Sequence, residues 1–189
     1  ATLARMARVI DDTFASDLAA GATFSADSAN AANGPALAHD GDLDTWWEAA
    51  PGRTTAAFTL ALPAPVSFDV VSLQEAVDHR SQRIEAFALE IWNGSQWSAP
   101  TTPEEQTTVG HKRLLRLAAP VTTDRIRINI TQSRLEPTLA EIGLFQQSVP
   151  AAPVISERGR DGLVALSHPH PLPIVYTLDG SEPTPNSTT

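Results

Sequence analysis

Three carboxylates and one hydroxyl lie within the segment Asp40-Gly41-Asp42-Leu43-Asp44-Thr45. Oxygen atoms of these kinds are the ligands that Ca²⁺ prefers, and the glycine lets the chain turn tightly enough to bring several of them together. An EF-hand is excluded, because its sixth loop position would be Thr45 instead of glycine and its twelfth would be Pro51 instead of glutamate. The segment therefore predicts a calcium site of another type. A solvated acidic turn closed by its own side chains is the alternative.

Signatures of catalysis are missing from the sequence. It contains no G-x-S-x-G elbow, P-loop, dinucleotide fingerprint or H-E-x-x-H motif. Of its 22 acidic residues, the sequence alone assigns no two as the opposed carboxylates of a glycoside hydrolase. The absence of cysteine excludes disulfides, thiol nucleophiles and thiolate metal sites. We predict that this chain has no catalytic residue.

The spacing of apolar residues changes near Gly21, from the period of a helix to the period of a β-strand. The elements that must position the acidic segment are therefore of two kinds. Between residues 2 and 19, apolar side chains recur at helical spacing, and Gly21 follows as a stop signal. This pattern predicts an amphipathic helix whose apolar face packs against a domain; a partner helix or a frayed end would fit the same pattern. After Gly21 the period becomes two, and Val, Ile, Phe and Thr alternate with Pro, Gly, Asn and Asp clusters. This is typical of a β-sandwich.

The clearest strand predictions come from strict alternation. In 125–130, three isoleucines alternate with Arg, Arg and Asn, which predicts a strand with one buried and one wet face. Residues 85–91 alternate in the same way, and the Asn93-Gly94 pair that follows predicts a type I′ hairpin turn. Four more segments are strand candidates: 57–62, 68–73, 113–117 and 140–145.

The end of the chain predicts a second unit. A proline-containing linker precedes strand patterns at 154–156, 162–167 and 174–178. Since a core of fewer than roughly 40 residues is seldom sufficient, we predict a partial small β-sandwich and expect the chain to be a piece of a longer polypeptide. The predicted organisation is a linker helix over 1–20, a β-sandwich over 21–148, and a linker with an incomplete β domain over 149–189.

Composition argues against two kinds of partner. The formal net charge is −9, and only 13 basic residues are spread along the chain, whereas nucleic-acid binding needs clustered Lys and Arg. No apolar run approaches the roughly 20 residues that cross a bilayer. We therefore expect neither nucleic acid nor a membrane as a partner.

The acidic segment, with the following Trp46-Trp47, precedes Ala140-Glu141-Ile142-Gly143-Leu144-Phe145 by most of the predicted sandwich. The two segments resemble the paired ends of the discoidin (coagulation factor 5/8 type C) family, which includes family 32 carbohydrate-binding modules. The resemblance implies an all-β fold, a galactose-binding-like jelly-roll sandwich. It also implies that Trp47 and Trp97 are core aromatics.

Further segments are similar, in order, to the accessory domain of bacterial α-L-fucosidases of glycoside hydrolase family 29. They are 68–75, 82–89, 110–117 and 120–127. Residues 1–20, and 15–19 in particular, are similar to the helix that leaves the catalytic barrel in those enzymes. Residues 175–184 resemble the signature of the small β-sandwich at the C-terminus of chitobiases and β-hexosaminidases.

The resemblance implies a non-catalytic C-terminal part of an enzyme that removes terminal α-L-fucose with retention. Its partner would be the catalytic barrel of the same polypeptide, and its location would be secreted or periplasmic in a bacterium. The alternative is an autonomous carbohydrate-binding module that recognises galactose- or fucose-containing glycans.

The resemblance also implies two sets of site residues. The family's calcium ion, a structural cofactor, would bind the side chains of Asp40, Thr45 and Glu141 and main-chain oxygens of Leu37, Asp42, Thr45 and Ala140. It would tie the first loop to the last strand. Sugar binding in the family uses loops that correspond to 49–54 and 77–82. These loops contain no aromatic platform, but they offer three donors for sugar hydroxyls: Arg53, His79 and Arg80.

Overall fold

The computed structural model describes residues 2–103, 105–147, 155–167, 174–181, 183–184 and 187–188. The chain forms two compact units, Ala1–Ser148 and Val149–Thr189. The first unit contains α1 (Thr2–Phe14), a 3₁₀ helix (Pro35–His39) and α2 (Val77–Arg80). Its strands are β1 (Thr23–Ala26), β2 (Trp47–Glu48), β3 (Ala56–Gln74), β4 (Ile84–Trp92), β5 (Trp97–Ser98), β6 (Arg113–Ser133), β7 (Thr138–Leu139) and β8 (Glu141–Phe145).

Two long strands organise the sandwich. β3 and β6 run antiparallel and together contain four of the segments predicted as separate strands. The first half of β3 also pairs with β1 and its second half with β8, while β4 pairs with β6 and β5 extends the sheet. The register of β3 shifts between Ala61 and Val66, where Pro63 and Pro65 interrupt the ladder, and again between Phe68 and Val70. These irregularities bend the pair, so that one continuous sheet curls around the core.

The core is one hydrophobic cluster, which consists of inward-facing residues from both halves of the curled sheet. Ile126, Ile128 and Ile130 are fully buried, which confirms the predicted alternation. Trp47 is also fully buried, as predicted, and its indole N–H donates to the carbonyl of Ser28 at 3.0 Å. This bond satisfies the one polar atom of the largest core side chain.

Trp97 is not a core residue, so that prediction is wrong. It pairs with Trp92 across the β4–β5 hairpin, and both side chains are only half-buried. The guanidinium of Arg127 lies 4.4 Å from the centre of the Trp97 ring, and the Nε of Arg127 is 2.6 Å from a carboxylate oxygen of Glu90. The physical reason is alternation: Phe87 and Leu89 point inward, so Trp92 and the residue opposite it point outward.

The turn between β4 and β5 also differs from the prediction. A type I′ turn needs positive φ at both central residues, but among the described residues Ser81 is the one non-glycine with positive φ. Asn93 instead closes a four-residue loop with its side chain, whose oxygen accepts the N–H groups of Ser95 and Gln96 at 3.0 Å each. Gly94 alone adopts positive φ, at 97°. The type I′ assignment is therefore wrong.

α1 ends at Phe14, earlier than the predicted residue 19. The following residues bond to the edge of β8 instead: Leu18 donates its N–H to the carbonyl of Leu144 at 2.8 Å, and Asp17 accepts the N–H of Leu144 at 2.9 Å. Because the N–H of Leu18 donates to β8, it cannot make the hydrogen bond that would continue the helix, and this explains why α1 ends early. Phe14 packs edge-on against Phe145, with ring centres 4.8 Å apart.

The second unit contains an antiparallel pair, β9 (Ile155–Arg158) and β10 (Val164–Ser167). The predicted strand at 174–178 is not formed; Tyr176 makes only an isolated bridge with Thr188. Residues 149–154, which carry the predicted linker and the start of the 154–156 strand, lie outside the described residues. Leu163 and Leu178 are strongly exposed, so the described part of this unit has little core of its own.

Gly143 makes the contact between the α1 segment and β8 testable. A Cβ at this position would lie 2.6 Å from a carboxylate oxygen of Asp17 and 2.7 Å from the Phe145 ring. We expect Gly143→Ala to cost about 1–3 kcal/mol, because the Asp17 carboxylate and the Phe145 ring, against which Phe14 packs, must both move. Hydrogen exchange should accelerate at Leu18 and Leu144. The matched variant Gly34→Ala, where a Cβ meets nothing within 4 Å, should leave both amides unchanged. Unchanged protection in Gly143→Ala would contradict the described packing.

Candidate functional site

The acidic loop, residues 40–45, gathers oxygen atoms at one point. Thr45 Oγ1 lies 2.7 Å from Asp40 Oδ2 and 3.0 Å from the carbonyl oxygen of Asp42. The loop also contains the self-closing bonds of the alternative interpretation: Asp40 accepts the N–H of Asp42 at 3.0 Å, and Asp42 accepts the N–H of Asp44 at 2.9 Å. The same geometry is thus compatible with a metal-binding loop and with a closed acidic turn.

Glu141 closes the loop from the other end of the sandwich sequence. One of its carboxylate oxygens accepts the N–H of Gly41 at 3.3 Å, and the other lies 3.1 Å from Nδ1 of His39. Four predicted calcium ligands, Asp40, Asp42, Thr45 and Glu141, are therefore brought together. The remaining two flank them: Leu37 lies in the 3₁₀ helix, and the buried Ala140 immediately precedes β8.

Burial and neighbouring charges disfavour the ionised form of Glu141. Burial raises the pKa of the Glu141 carboxyl above its ordinary value, and the nearby carboxylates of Asp40 and Asp17 raise it further. His39 and the N–H of Gly41 act in the opposite direction. Among the described residues, no three His, Asp or Glu side chains are grouped as in a metal site. An ion here would therefore depend on two carboxylates, the Thr45 hydroxyl and main-chain oxygens, which are hard ligands suited to Ca²⁺.

Two of the three predicted sugar donors meet on an aromatic ring outside the predicted loops. The His79 ring stacks on Trp46, with centres 5.2 Å apart and planes 15° apart, and its Nε2 lies 2.8 Å from Asp44 Oδ1. The guanidinium carbon of Arg80 lies 5.3 Å from the centre of the same ring. We call Trp46, His79 and Arg80 the aromatic cluster. Arg53 is exposed on the turn at 50–53, where its N–H donates to the carbonyl of Ala50 at 3.0 Å, and among the described residues no hydrogen bond, ion pair or ring contact joins its side chain to the cluster.

Sequence reasoning missed Trp46 because the search for a platform covered only the loops 49–54 and 77–82. A signal was available: Trp46 lies between the polar acidic loop and β2, where two adjacent aromatic side chains do not point in the same direction, so a buried Trp47 favours an outward Trp46. Trp46 is half-buried, and His79 and Arg80 cover part of it.

Below the aromatic cluster lies an ion-pair cluster of Glu48, Arg80, Arg83 and Glu136. Arg83 Nη1 lies 3.1 Å from a carboxylate oxygen of Glu48 and donates to the carbonyl of Glu136 at 2.8 Å. Arg80 Nε lies 3.4 Å from Glu48. The N–H of Gly52, which Glu136 accepts at 2.8 Å, lowers the pKa of Glu136, and Arg83 and Arg80 contribute to the same shift. This cluster therefore holds α2 and the turn that precedes Arg53 in a fixed position relative to each other.

These features define a discoidin-like jelly roll: a curled β-sandwich, an acidic loop closed by the last strand, and the aromatic cluster on the loops. The F5/8 type C domain family matches residues 21–142, and the chain belongs to that family. The predicted all-β jelly-roll fold is therefore confirmed.

The chain is also similar to regions of fucosidases. It is 29% identical to Alpha-L-fucosidase 1 of Arabidopsis thaliana over 114 residues, 59% of this chain and 22% of that protein. The structure of the Ruminococcus gnavus GH29 fucosidase in complex with fucose aligns with a TM-score of 0.67 and 28% identity, over 75% of this chain and 28% of that one. The chain thus spans about a quarter of the fucosidases that it matches.

A separate likeness bears on the fold alone. The family 32 module of Clostridium perfringens NanJ, solved in complex with galactose, aligns with a TM-score of 0.58 at 14% identity, over 68% of this chain and 96% of that module. Among the described residues, the structure contains no helix of the length and apolarity needed to span a membrane.

Proposed function

We propose that this chain is a non-catalytic accessory portion of an α-L-fucosidase polypeptide, which packs against the catalytic domain through α1. The observation that carries the proposal is the uncovered apolar side of α1. The chain aligns with about a quarter of the length of the fucosidases that it matches, so such a helix has a larger protein to pack against. Leu3, Met6 and Ile10 are 83%, 58% and 56% exposed. Apolar side chains at i, i+3 and i+7 on one helix form a stripe that a folded partner normally covers.

The apolar surface continues from the helix onto the sandwich. A groove of about 310 Å³ between α1 and the sheet is lined by Ile10, Phe14 and Val70, and also by Leu114, which is 38% exposed. A domain seated here would bury the stripe and the groove together. The proposed role is to stabilise and position that domain, which would hydrolyse terminal α-L-fucosides with retention.

The test uses the purified chain and the full-length enzyme. The chain alone should not hydrolyse an aryl α-L-fucoside, whereas the full-length enzyme should. Met6→Asp with Ile10→Asp should leave the melting temperature of the isolated chain nearly unchanged, because these side chains are exposed, but should lower that of the full-length enzyme. The control Arg8→Asp, on the exposed polar side, should affect neither. Turnover by the chain alone, or an unaffected full-length enzyme, would contradict the proposal.

We further propose a structural calcium ion bound by the side chains of Asp40, Thr45 and Glu141 and by main-chain oxygens of Leu37, Asp42, Thr45 and Ala140. The support is that Thr45 Oγ1 lies within 3.0 Å of Asp40 Oδ2 and of the Asp42 carbonyl, and that the Glu141 carboxylate is bonded to Gly41 in the same loop, with Asp40 and Asp17 nearby. The ion would neutralise this charge and hold β8 against the acidic loop.

Calcium removal supplies the test of that ion. Adding Ca²⁺ to chelator-treated chain should raise the melting temperature, with about 2.7 kcal/mol of stabilisation at a concentration 100-fold above Kd. Thr45→Val and Glu141→Gln should largely abolish this response. Asp44→Asn, which alters the same loop outside the proposed ligand set, should keep it. If calcium has no effect on the melting temperature, the loop is an acidic turn closed by its own bonds.

A second candidate function is carbohydrate binding by the chain itself. The observation that favours it is the aromatic cluster, where His79 and Arg80 present donors beside the Trp46 ring. A galactose- or fucose-containing glycan is the proposed ligand, with Arg53 as a further donor. Glycan-array binding by the isolated chain should disappear in Arg80→Ala and persist in Arg125→Ala, a matched exposed arginine that stacks on Trp92 instead.

The remaining features of the longer polypeptide are also proposals. Residues 149–189 would begin a small β-sandwich of the chitobiase C-terminal type, supported by the β9–β10 pair and its exposed leucines. The organism would be a bacterium and the location secreted or periplasmic. Intact mass and the reading frame of the gene would test all three.

A further inference from the structure

The chain contains two Asn-Gly pairs, Asn33-Gly34 and Asn93-Gly94. This dipeptide is prone to a reaction within its own backbone, in which the glycine nitrogen attacks the side-chain amide of the preceding asparagine. Glycine permits the attack because it has no Cβ to obstruct the new ring, and because its backbone adopts angles that other residues avoid. The sequence supplies two equivalent sites, and the fold places them in different surroundings.

Asn93-Gly94 lies in the loop between β4 and β5, where residues 93–96 are all exposed. Three donors meet Asn93 Oδ1 at 3.0 Å each: the N–H and the hydroxyl of Ser95, and the N–H of Gln96. Within the described part of the chain, no acceptor takes the N–H of Gly94, and a Cβ placed on Gly94 would meet nothing within 4 Å. The attacking nitrogen is therefore open to a base from solvent.

The three donors favour the reaction, since they lie where its negative charge develops. When the glycine nitrogen attacks Cγ, the electron pair of the carbonyl moves onto Oδ1, and hydrogen bonds to an oxygen strengthen as that oxygen becomes charged. Donors that are already in place need no rearrangement at that moment. The loop thus gives Asn93 a small oxyanion hole, built from two backbone N–H groups and one serine hydroxyl.

Asn33 is bonded in the opposite sense. Its Nδ2 donates to the carbonyl of Trp46 at 3.2 Å, and among the described residues no donor meets its side-chain oxygen. Its N–H donates to the carbonyl of Asn30 at 3.1 Å, its carbonyl accepts the N–H of Glu48 at 3.2 Å, and the residue is half-buried. Ring closure here would have to turn the amide away from Trp46, and no donor would stabilise the charged oxygen.

We propose that Asn93 is a site of spontaneous deamidation in the folded chain, whereas Asn33 is protected. The Gly94 nitrogen gives its proton to a solvent base and bonds to Cγ of Asn93. The Cγ–Nδ2 bond then breaks, and Nδ2 takes up a proton and leaves as ammonia. Water opens the resulting five-membered imide at either carbonyl, which yields aspartate or isoaspartate at position 93. The inference goes beyond the accessory role and depends neither on a fucosidase nor on calcium.

The two products should affect the β4–β5 hairpin differently. Aspartate keeps an oxygen that accepts the N–H groups of Ser95 and Gln96. Isoaspartate adds one carbon atom to the main chain between Trp92 and Trp97, which pair across the hairpin with ring centres 5.5 Å apart. We expect isoaspartate to separate the two rings and aspartate to leave them in place.

The test is ageing of the purified full chain at mildly alkaline pH, followed by trypsin digestion and mass spectrometry. Peptides 84–112 and 9–53 contain Asn93 and Asn33, respectively, and fragment ions locate the change from amide to acid. Conversion at Asn93 should be about tenfold faster than at Asn33, the effect of roughly one additional hydrogen bond to the charged oxygen. In urea, where neither set of contacts exists, the two rates should approach each other.

Two variants make the test specific. Ser95→Ala removes the hydroxyl donor, so it should slow conversion at Asn93 about threefold and leave Asn33 unchanged. Asn93→Gln should show no comparable conversion in peptide 84–112, because that peptide contains no other asparagine.

Three outcomes would overturn the proposal. Conversion at Asn93 that is no faster than at Asn33 in the folded chain would exclude a promoting role of the loop. An unchanged rate in Ser95→Ala would exclude the role assigned to the donors. A ratio of the two rates that is the same in urea as in the folded chain would assign the difference to the flanking sequence and not to the fold.

Discussion

Glu75→Ala should lower the free energy of unfolding by about 3–5 kcal/mol, since three backbone N–H groups would lose their acceptor at once. These groups belong to Gly110, Arg83 and Ile84, and the carboxylate that joins them is almost fully buried. The turn at 110–112 would keep the main-chain bond from the N–H of Glu75 to the carbonyl of Gly110 but would lose the bond from the N–H of Gly110. Urea unfolding followed by tryptophan fluorescence measures the change.

Two variants make this result specific. Glu75→Gln keeps the shape and one acceptor oxygen, so its loss should be smaller than that of the alanine variant. Glu105→Ala, which truncates an exposed glutamate, should change stability by no more than about 0.5 kcal/mol. Hydrogen exchange should accelerate at the three amides in Glu75→Ala alone. If the exchange of those amides stays slow, Glu75 is not what joins β3, β4 and the turn.

Arg83→Met should cost a similar amount, about 3–5 kcal/mol, because it breaks a buried pair by removing one partner. Glu48 is 6% exposed and Arg83 is 9% exposed. Without Arg83, the carboxylate of Glu48 keeps the longer contacts with Arg80 and with the amide of Asn30, at 3.4 Å each, and the carbonyl of Glu136 loses its donor. Chemical denaturation at low and moderate salt measures the loss, which should depend little on salt because the pair is shielded from solvent.

A double variant separates charge burial from the loss of packing. Glu48→Leu with Arg83→Met removes both charges, so it should be more stable than Arg83→Met alone. The exposed pair Glu85–Arg134 provides the matched control, and Glu85→Gln should have a small effect that decreases further with salt. If the loss of stability in the double variant, relative to the unchanged chain, equals the sum of the losses in Glu48→Leu and Arg83→Met, the two residues do not interact as described.

The local parts of this structure could be predicted from the sequence. Alternation in 125–130 is a property of neighbouring residues, so it identified the buried faces of Ile126, Ile128 and Ile130 without knowledge of the pairing strands. The acidic loop was equally local, because its oxygens lie within six residues. That Glu141 lies beside the acidic loop was implied by the family resemblance, and no periodicity pointed to it.

Other features depended on competition between local and distant partners. The helical pattern continues to residue 19, but the edge of β8 offers Leu18 and Asp17 better partners than another helical turn, so α1 ends at Phe14. The register of the β4–β5 hairpin places Trp97 opposite Trp92 on the outer face, where Arg127 covers its ring.

By itself, the sequence determined a β-sandwich with known inward faces, an oxygen-rich loop and a flanking amphipathic helix, because each depends on residues within one element. Only the tertiary structure placed His79 and Arg80 on Trp46, paired Glu48 with Arg83, and joined Glu75 to Gly110. These contacts join residues about thirty or more positions apart. Their geometry is set by the bends of β3 and the register between strands, which no local pattern specifies.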